Sequence, residues 1–431
     1  MENESKKSKT CSVSQLDYES SMPQQGVFSD FGYTEYPSLT HSEFDQNVPL
    51  EFRIDKTDAC VDLSGIYLSF SVNVYKADGT KVSEEEVIST ANAFGYSLFN
   101  SLDLYIQDQK VSESQGCYNY SSYVRLLMNT TKNEKEYYLR GALWRKDEAG
   151  MMDILSYDIE EGANKGYVDR AAYIQQSREC PIFMKLLYDF KMSNVLPPQT
   201  EVFIRLHRTP ASSCLMAKTG DYKIKLTKAK IYVPKFKLSP QGSRVFNSRA
   251  SMTCMAKKFT MTTRSVSKND QNFSWVPVSG PMPKRIYFFQ ASNASYNGAW
   301  DKNIYNFQVF GLKRLQVCKN GVNTPTSQGL QISQSSPELL YAMTINSLNS
   351  PDCIYFNDWE FCNGYLVACF DLTQSGSAAN ANFLNPTEIG TLRIEGDYEK
   401  PLSEAITLFC LCEYDAKLKF DSAGNPQWLE P

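Results

Sequence analysis

The sequence predicts an all-β protein made of two similar β-sandwich units in tandem. Apolar and polar residues alternate along much of the chain, which is the pattern of strands with one buried face. Helical spacing of apolar residues is confined to two short segments, Tyr120 to Met128 and Pro337 to Leu348. Landmarks of the first half also recur in the same order in the second half.

Residues 1–38 are predicted to form a flexible N-terminal arm. They are rich in Ser, Glu, Gln and Lys and show little apolar periodicity. Lys6, Lys7 and Lys9 form the only compact basic run near a terminus. Such a run is commonly a solvated tail, and contact with nucleic acid is the alternative. The net charge of -4 gives the chain as a whole no attraction for nucleic acid.

Strands are predicted after the arm. Leu50, Phe52 and Ile54 alternate with Glu51 and Arg53, so that one side of this segment is apolar. The same alternation marks further strands at 68–74, 104–106, 202–206, 224–226, 392–394 and 408–412. The chain is therefore expected to be mainly β, with two minor helices.

Composition agrees with a folded chain of two domains. The chain has 431 residues, of which 42% are hydrophobic and 21% charged, so wholesale disorder is not expected. No apolar stretch is long enough for a membrane span, and no signal peptide is recognised. The twelve cysteines are scattered singly, which predicts reduced thiols in a cytosolic or nuclear protein.

The internal repeat is described by the offset, which is the difference in residue number between matched residues of the two halves. An offset of 211 pairs Asn92 with Asn303, Phe99 with Phe310, Leu104 with Leu315, Ile106 with Val317 and Val111 with Val322. After the helix of each copy the offset is 182, as between Asp189 and Asp371. The fall from 211 to 182 leaves 29 extra residues in the first copy, near 129–180.

The repeat also gives the predicted domain boundaries. The first unit is placed at 39–240, with the insertion near 129–180, and the second unit at 241–431. Pro240 and Gly242 interrupt the strand pattern at the join. Each unit has enough strands for a two-sheet sandwich, and the pattern alone does not separate a jelly roll from other Greek-key sandwiches.

Several ordered blocks of sequence carry a family resemblance. They include FGYSLFNSLDLYIQDQKV, YNYSSYVRLLMN, GALWRKDEAG, PKRIYFFQASNASYNGAWDKNIYNFQVFGLKRLQVCKNG and ITLFCLCEYDAKLKFD. With these blocks in this order, the chain after the arm resembles the double jelly-roll major capsid proteins of Polinton (Maverick) elements and adintoviruses, relatives of the adenovirus hexon. The resemblance implies two tandem eight-stranded antiparallel jelly-roll barrels with minor helices.

The resemblance also implies a function. It implies a structural virion protein, a hexon-like subunit whose pseudo-hexagonal homotrimers tile an icosahedral shell around double-stranded DNA. The implied partners are further copies of the chain, penton or minor capsid proteins and, weakly, the packaged DNA. The implied location is the virion, with synthesis in the host cytoplasm and the nucleus as a candidate assembly site. A replicating virus, an integrated element and a host-domesticated gene remain open as sources.

Two sets of residues are candidates for assembly contacts. Tyr137, Tyr138 and Trp144 in the insertion are candidates for the subunit interface, because aromatic anchors dominate the energy of protein interfaces. The alternative is that these rings cap the first barrel. Under the resemblance, the basic run of the arm is a candidate for contacts between capsomers or with the shell interior.

No catalytic, cofactor or metal site is predicted. The chain has two histidines, His41 and His207, and no phosphate-binding loop or paired CxxC motif. Asp189 and Asp371 are expected to end strands or fix turns rather than to act as an acid pair. The rival function is a monomeric double jelly-roll protein that binds or processes glycans, which should be secreted and carry a polar cleft.

Overall fold

Antiparallel strands dominate the structure, as the alternation of apolar residues predicts. The computed structural model describes residues 25–40, 44–114, 116–160, 162–192, 194–218, 220–247, 251–332, 337–380, 385–421 and 424–429. His41 and the basic run at 6–9 lie outside these ranges.

The strands fall into two sets, before and after residue 240. The first set is β1 (Phe28–Pro37), β2 (Leu50–Ile54), β3 (Ala59–Val61), β4 (Tyr67–Lys76), β5 (Ile88–Thr90), β6 (Phe99–Ile106), β7 (Gln109–Glu113), β8 (Cys180–Lys185), β9 (Phe190–Met192), β10 (Val202–Arg208), β11 (Leu215–Ala217) and β12 (Tyr222–Leu238). The second set is β13 (Met252–Val266), β14 (Asn272–Pro281), β15 (Arg285–Ser292), β16 (Phe307–Gln308), β17 (Leu312–Lys319), β18 (Val322–Thr324), β19 (Leu330–Gln331), β20 (Asn363–Gly364), β21 (Val367–Asp371), β22 (Ile389–Tyr398), β23 (Ile406–Phe420) and β24 (Pro426–Leu429).

Helices are short and lie mostly between strands. They are α1 (Phe94–Ser97), α2 (Tyr118–Asn129), α3 (Lys165–Ile174), α4 (Ala211–Cys214), α5 (Pro240–Asn247), α6 (Asn293–Tyr296), α7 (Glu338–Asn346) and α8 (Asp358–Cys362). Single turns of 3-10 helix are found at Leu63–Gly65, Leu139–Ala142, Gln175–Ser177 and Pro351–Cys353, and a π-helical turn at Glu134–Tyr138. The two predicted helices are confirmed as α2 and α7, and α3 and α5 were not predicted.

Two sheets form the first barrel, each with four strands in a continuous order, and the short strand β3 pairs with β12 as a fifth strand of the first sheet. Sheet 1A has the order β1-β12-β4-β8, and sheet 1B has the order β2-β10-β6-β7. When these eight strands are counted along the chain, the orders are 1-8-3-6 and 2-7-4-5. This is the topology of a jelly roll, in which two Greek keys close a sandwich of two sheets.

The second barrel repeats this arrangement. Sheet 2A has the order β13-β23-β15-β21, and sheet 2B has the order β14-β22-β17-β18. Counted along the chain, these are again 1-8-3-6 and 2-7-4-5. Helix α5 connects the last strand of the first barrel to the first strand of the second. The fold is therefore a double jelly roll, as the resemblance implies.

The strand pairing corrects one landmark of the repeat. Asp371 ends β21 opposite Arg285, whereas β8 ends at Lys185, opposite Tyr67. The next residue in each barrel confirms this match, since Leu186 N donates to the Ile66 carbonyl and Leu372 N donates to the Lys284 carbonyl. The match of Asp189 with Asp371 is therefore wrong by four residues. The similar segments LLYDF and ACFDL occupy different positions relative to the equivalent strands β8 and β21.

The predicted arm extends too far. Ten of its residues, Phe28–Pro37, form β1, which pairs along its length with β12, from Phe28 opposite Leu238 to Pro37 opposite Lys230. The alternation of buried residues that identifies other strands is missing here, because nearly all of β1 is exposed in the single chain. Without β1, the first barrel would lack the strand equivalent to β13.

The core of each barrel lies between its two sheets. In β4 the inward residues Leu68, Phe70, Val72 and Val74 are at most 1% exposed. Burial of side chains of this size contributes about 1.5–3 kcal/mol each. The outward residues of the same strand are only partly covered. The outer face of sheet 1A is therefore available for other contacts.

Candidate functional site

The two barrels meet in a buried aromatic join. Helix α2 of the first barrel lies on the outer face of sheet 2A, and all but one of its 12 residues are buried. Tyr123 stacks on Tyr305 with ring centroids 3.7 Å apart and 5° between the ring planes. Tyr120 lies 4.6 Å from Phe409 by the same measure. The join is thus packed like a domain core.

The inserted segment belongs to this join. Lys135 is fully buried, and its Nζ donates to the Leu127 carbonyl at 2.7 Å and to the Cys353 carbonyl of the second barrel at 2.5 Å. Lys146 forms an ion pair with Glu360 at 2.6 Å. The insertion therefore fixes one barrel against the other within the chain.

Trp144 is not a free interface anchor. It is 3% exposed, and its ring stacks on Tyr123 at 5.4 Å. Within the chain it packs in the join between the barrels, since the stack continues from Tyr123 to Tyr305 of the second barrel. The residue type signals an aromatic anchor, but it does not tell which of two surfaces the ring joins.

Tyr137 and Tyr138 remain accessible. Tyr137 is 75% exposed and Tyr138 is 42% exposed. The Tyr138 ring lies 6.3 Å from Tyr67 on the outer face of sheet 1A. These two candidates therefore lie on the surface, at the edge of a larger aromatic surface.

We call that surface the aromatic belt. Its rings follow one another across the outer face of sheet 1A, with centroids 4.8 to 6.3 Å apart. The belt consists of Phe28, Phe31, Tyr33, Tyr67, Tyr138, Phe183, Tyr232 and Phe236. A contiguous exposed apolar patch of this kind marks an interaction surface. The alternation of Phe31 and Tyr33 in the sequence was the available signal for it.

The belt ends at a free strand edge. β1 pairs with β12 on one side, and within the described part of the chain no strand pairs with its other side. Phe31 and Tyr33 on this strand are 54% and 51% exposed. Edge strands with exposed apolar side chains readily accept a further chain.

A buried charge cluster occupies the outer face of sheet 2A. Glu413 is 1% exposed and accepts from Arg285 Nη2 at 2.7 Å, while Lys257 and Lys284 each place Nζ 3.5 Å from its other oxygen. Burial alone would raise the pKa of Glu413, but the nearby positive charges outweigh it and hold that pKa below its usual value. Arg285 also donates to the Ser347 carbonyl at 2.6 Å, so the segment after α7 closes one side of the cluster.

A cleft connects the belt with the charge cluster. It has a volume of about 480 Å³ and is lined by Tyr67 and Tyr138 at one end and by Lys257 and Glu413 at the other. Arg125 of α2 forms part of its wall and lies 4.1 Å above the Phe259 ring. The cleft follows the seam between the barrels and carries no arrangement of a nucleophile with a base.

The remaining polar candidates serve the fold. Asp371 accepts hydrogen bonds from the Thr373 and Ala378 amides at 2.9 and 2.8 Å, so it fixes the turn after β21 as expected. Asp189 is buried in the first barrel beside Ser112, and burial raises its pKa. The two carboxylates therefore serve different local roles.

The described residues offer little for catalysis. His207 lies on the polar side of β10 with Nε2 3.8 Å from Asp103, as its position in the strand predicts. Across the ranges given above, no group of three or more His, Cys, Asp or Glu side chains is placed to hold a metal. No helix in those ranges is long and apolar enough to cross a membrane.

Comparison with solved structures identifies the fold. No protein-family model and no curated protein matches the sequence. The structure of the Sputnik virophage contains a similar chain, with a TM-score of 0.65 and 10% identity over 96% of this chain and 91% of that one. The PBCV-1 virus capsid contains another, with a TM-score of 0.62 and 11% identity over 96% of this chain and 99% of that one. The mavirus major capsid protein has a TM-score of 0.54 and 10% identity over 99% and 97% of the two chains. The chain thus has the double jelly-roll fold found in viral major capsid proteins.

Proposed function

We propose that the chain is the major capsid subunit of an icosahedral shell. The observation that carries this proposal is the pair of jelly rolls with identical strand order, fixed side by side by a buried join. Two fused barrels of one shape give a chain with approximate internal symmetry. Such a chain can repeat one kind of contact within itself and between copies.

The proposed assembly unit is a homotrimer of pseudo-hexagonal outline. Three chains contribute six jelly rolls, and a ring of six similar barrels tiles a surface. The exposed aromatic belt supports this, because a stable interface needs an apolar center and aromatic anchors. Tyr137 and Tyr138 stay candidates for subunit contacts, since both are exposed.

The finer parts of the proposal rest on the sequence resemblance. They are the Polinton and adintovirus lineage, a location in the virion, penton or minor capsid partners, and double-stranded DNA inside the shell. Lys6, Lys7 and Lys9 are proposed to contact the shell interior or a neighbouring capsomer. The absence of an enzymatic role is proposed with them, since the carboxylates and the histidine described above have structural surroundings.

Electron microscopy tests the proposed function. The full-length chain is expressed alone, sedimented through a density gradient and imaged from each fraction. We expect hexagonal capsomers, closed shells or both in the fast fractions. A chain that stays dispersed in every fraction and binds oligosaccharides on a glycan array would favour the monomeric binding protein instead.

A further inference from the structure

The belt and the charge cluster occupy the same place in the two barrels. Tyr67 lies between Tyr232 and Lys185 in sheet 1A, as Arg285 lies between Glu413 and Asp371 in sheet 2A. On the first strand of each barrel, Tyr33 lies opposite Pro234 and Lys257 lies opposite Asp415. Tyr33 and Lys257 therefore occupy the same position in the two barrels. The equivalent pairs are Tyr67 and Arg285, Tyr232 and Glu413, and Tyr33 and Lys257.

In the second barrel this face is buried within the chain, in part by the first barrel. Arg285 is 0% exposed and Glu413 is 1% exposed. Arg285 donates to the Ser347 carbonyl and to Asn349 Oδ1 of its own barrel. Helix α2 covers the neighbouring part of the face, where Arg125 lies over Phe259 and Tyr120 lies against Phe409. Strand β9 of the first barrel also pairs with β13, with Lys191 opposite Lys257. The internal contact thus covers part of the outer face and part of the edge of sheet 2A.

In the first barrel the same face is only partly covered. Phe31, Tyr33 and Phe183 are 54%, 51% and 43% exposed. The edge of β1, which is equivalent to the edge of β13 that β9 covers, has no partner strand in the ranges that the structure describes. The aromatic composition of this face suits a contact with protein rather than with water.

The complementary surface lies on the second barrel. Helix α7 is the counterpart of α2, since each lies between the fifth and sixth strands of its barrel. Helix α7 has the sequence ELLYAMTIN, which is apolar on most sides. A helix of that kind is normally buried, yet Leu339 is 53% exposed and Ala342 is exposed as well.

We infer that α7 of one copy docks on the aromatic belt of the next, in the way that α2 docks on sheet 2A within the chain. The contact is heterologous, so each copy offers a belt to one neighbour and a helix to the other. The inference rests on the proposed function and adds to it the two surfaces that meet. The same kind of contact would then occur within each chain and between neighbouring chains. First and second barrels would alternate around the ring that results.

Two substitutions test the two surfaces separately. Tyr33→Glu puts a charge in the belt, and Leu339→Glu puts one on α7. Ile389→Glu is the matched control, because Ile389 is 82% exposed on β22 and belongs to neither surface. Circular dichroism and thermal melts are used to check that each of the three variants is folded. We expect the first two to raise the midpoint concentration of trimer formation at least 10-fold, and the control to leave it unchanged.

Mixing the two variants tests the direction of the contact. The Leu339→Glu chain keeps an intact belt and the Tyr33→Glu chain keeps an intact α7, so a mixture contains one productive pair of surfaces. Sedimentation should show a heterodimer, twice 48.9 kDa, only when both variants are present. Belt-to-belt pairing would give no such species and would overturn the inference.

The outcomes separate this inference from the proposed function. If the wild type forms trimers and both variants do so equally well, the inference fails and the capsid role stands. That result would also follow if residues 1–24 of the same chain covered the belt. If the wild type itself stays monomeric at high concentration, the proposed function fails and the inference fails with it.

Discussion

Tyr123 of the first barrel and Tyr305 of the second stack face to face, with 3.7 Å between their ring centroids. The stack continues on the other side of Tyr123 to Trp144 at 5.4 Å. Three buried rings in a row therefore cross the join between the barrels. We expect the two jelly rolls to unfold as one cooperative unit because this contact belongs to both of their cores.

Loss of the central ring should destabilise the chain strongly. Tyr123→Ala removes a side chain that is 0% exposed and leaves a cavity between the barrels. The expected loss in free energy of unfolding is about 3–5 kcal/mol, as for other buried rings. Tyr137→Ala, at a ring that is 75% exposed, should change it by less than about 0.5 kcal/mol. Urea unfolding followed by tryptophan fluorescence measures both, and equal midpoints would contradict the described join.

The charge cluster should make stability depend on acid. Glu413→Gln leaves Arg285 buried without its partner, at an expected cost of about 3 kcal/mol. The folded-state pKa of Glu413 is lowered, so its contribution is present above the unfolded value of about 4.3 and is lost as the pH falls further. The gap between wild type and variant should therefore stay constant near neutral pH and narrow as the pH falls below about 4.3. Glu179→Gln, in an exposed ion pair with Lys228, should barely change stability at any pH; a constant gap for Glu413→Gln would refute this role.

Lys135 should make the stability of the fold depend on pH in the alkaline range. Burial lowers its pKa to about 8, whereas an unfolded lysine titrates at about 10.4. Between these values the unfolded chain holds a proton that the folded chain does not, so folding becomes more favourable as pH rises. Relative to Lys135→Met, the wild type should gain up to about 1.4 kcal/mol per pH unit from pH 8 to pH 10. Lys132→Met, at a residue that is 60% exposed, should show the same pH slope as the wild type; the same slope for Lys135→Met would contradict the burial of this amine.

The thiols should be protected in the folded chain. All eleven cysteines of the described residues are buried, and burial raises the pKa of Cys60, Cys117 and Cys254 to about 11. A buried neutral thiol reacts slowly with disulfide reagents. Titration with such a reagent at pH 8 should find at most one rapidly reacting thiol in the native chain and all twelve in guanidinium. Rapid reaction of several native thiols, or a total below twelve, would contradict reduced, buried cysteines.

The N-terminal residues can be removed without loss of β1. Deletion of residues 1–24 should leave the chain trimeric and lower the yield of complete shells, if the arm joins capsomers. The measurement is the fraction of chain that sediments as shells, compared with the full-length chain. Complete shells at normal efficiency would remove the basis for this role of Lys6, Lys7 and Lys9.

Strand positions were predictable wherever one side of a strand is buried. In β10, Val202, Ile204 and Leu206 are 0% exposed and alternate with half-buried residues, as the sequence predicts. The strand β1 was missed because nearly all of it is exposed in the single chain, and its sequence lacks the alternation of aliphatic and polar residues that marks the buried strands. Asp189 was matched wrongly with Asp371 because a short similarity in sequence does not fix the strand register. The pairing of β8 with β4 fixes it.

The candidate site was predictable only in part. The insertion was recognised from the change of offset, but its contact with the second barrel through Lys135 depends on tertiary packing. The burial of Trp144 within the chain depends on the same packing. The equivalence of Tyr67 with Arg285 appears only from the strand pairing, since the two residues share no chemistry.

The mass of the purified chain in solution tests the central claim most directly. Static light scattering of the full-length protein is recorded over a series of concentrations at physiological salt. A capsid subunit should give three times 48.9 kDa, or a much larger shell, at the upper concentrations. A stable monomer of 48.9 kDa at every concentration would contradict the account.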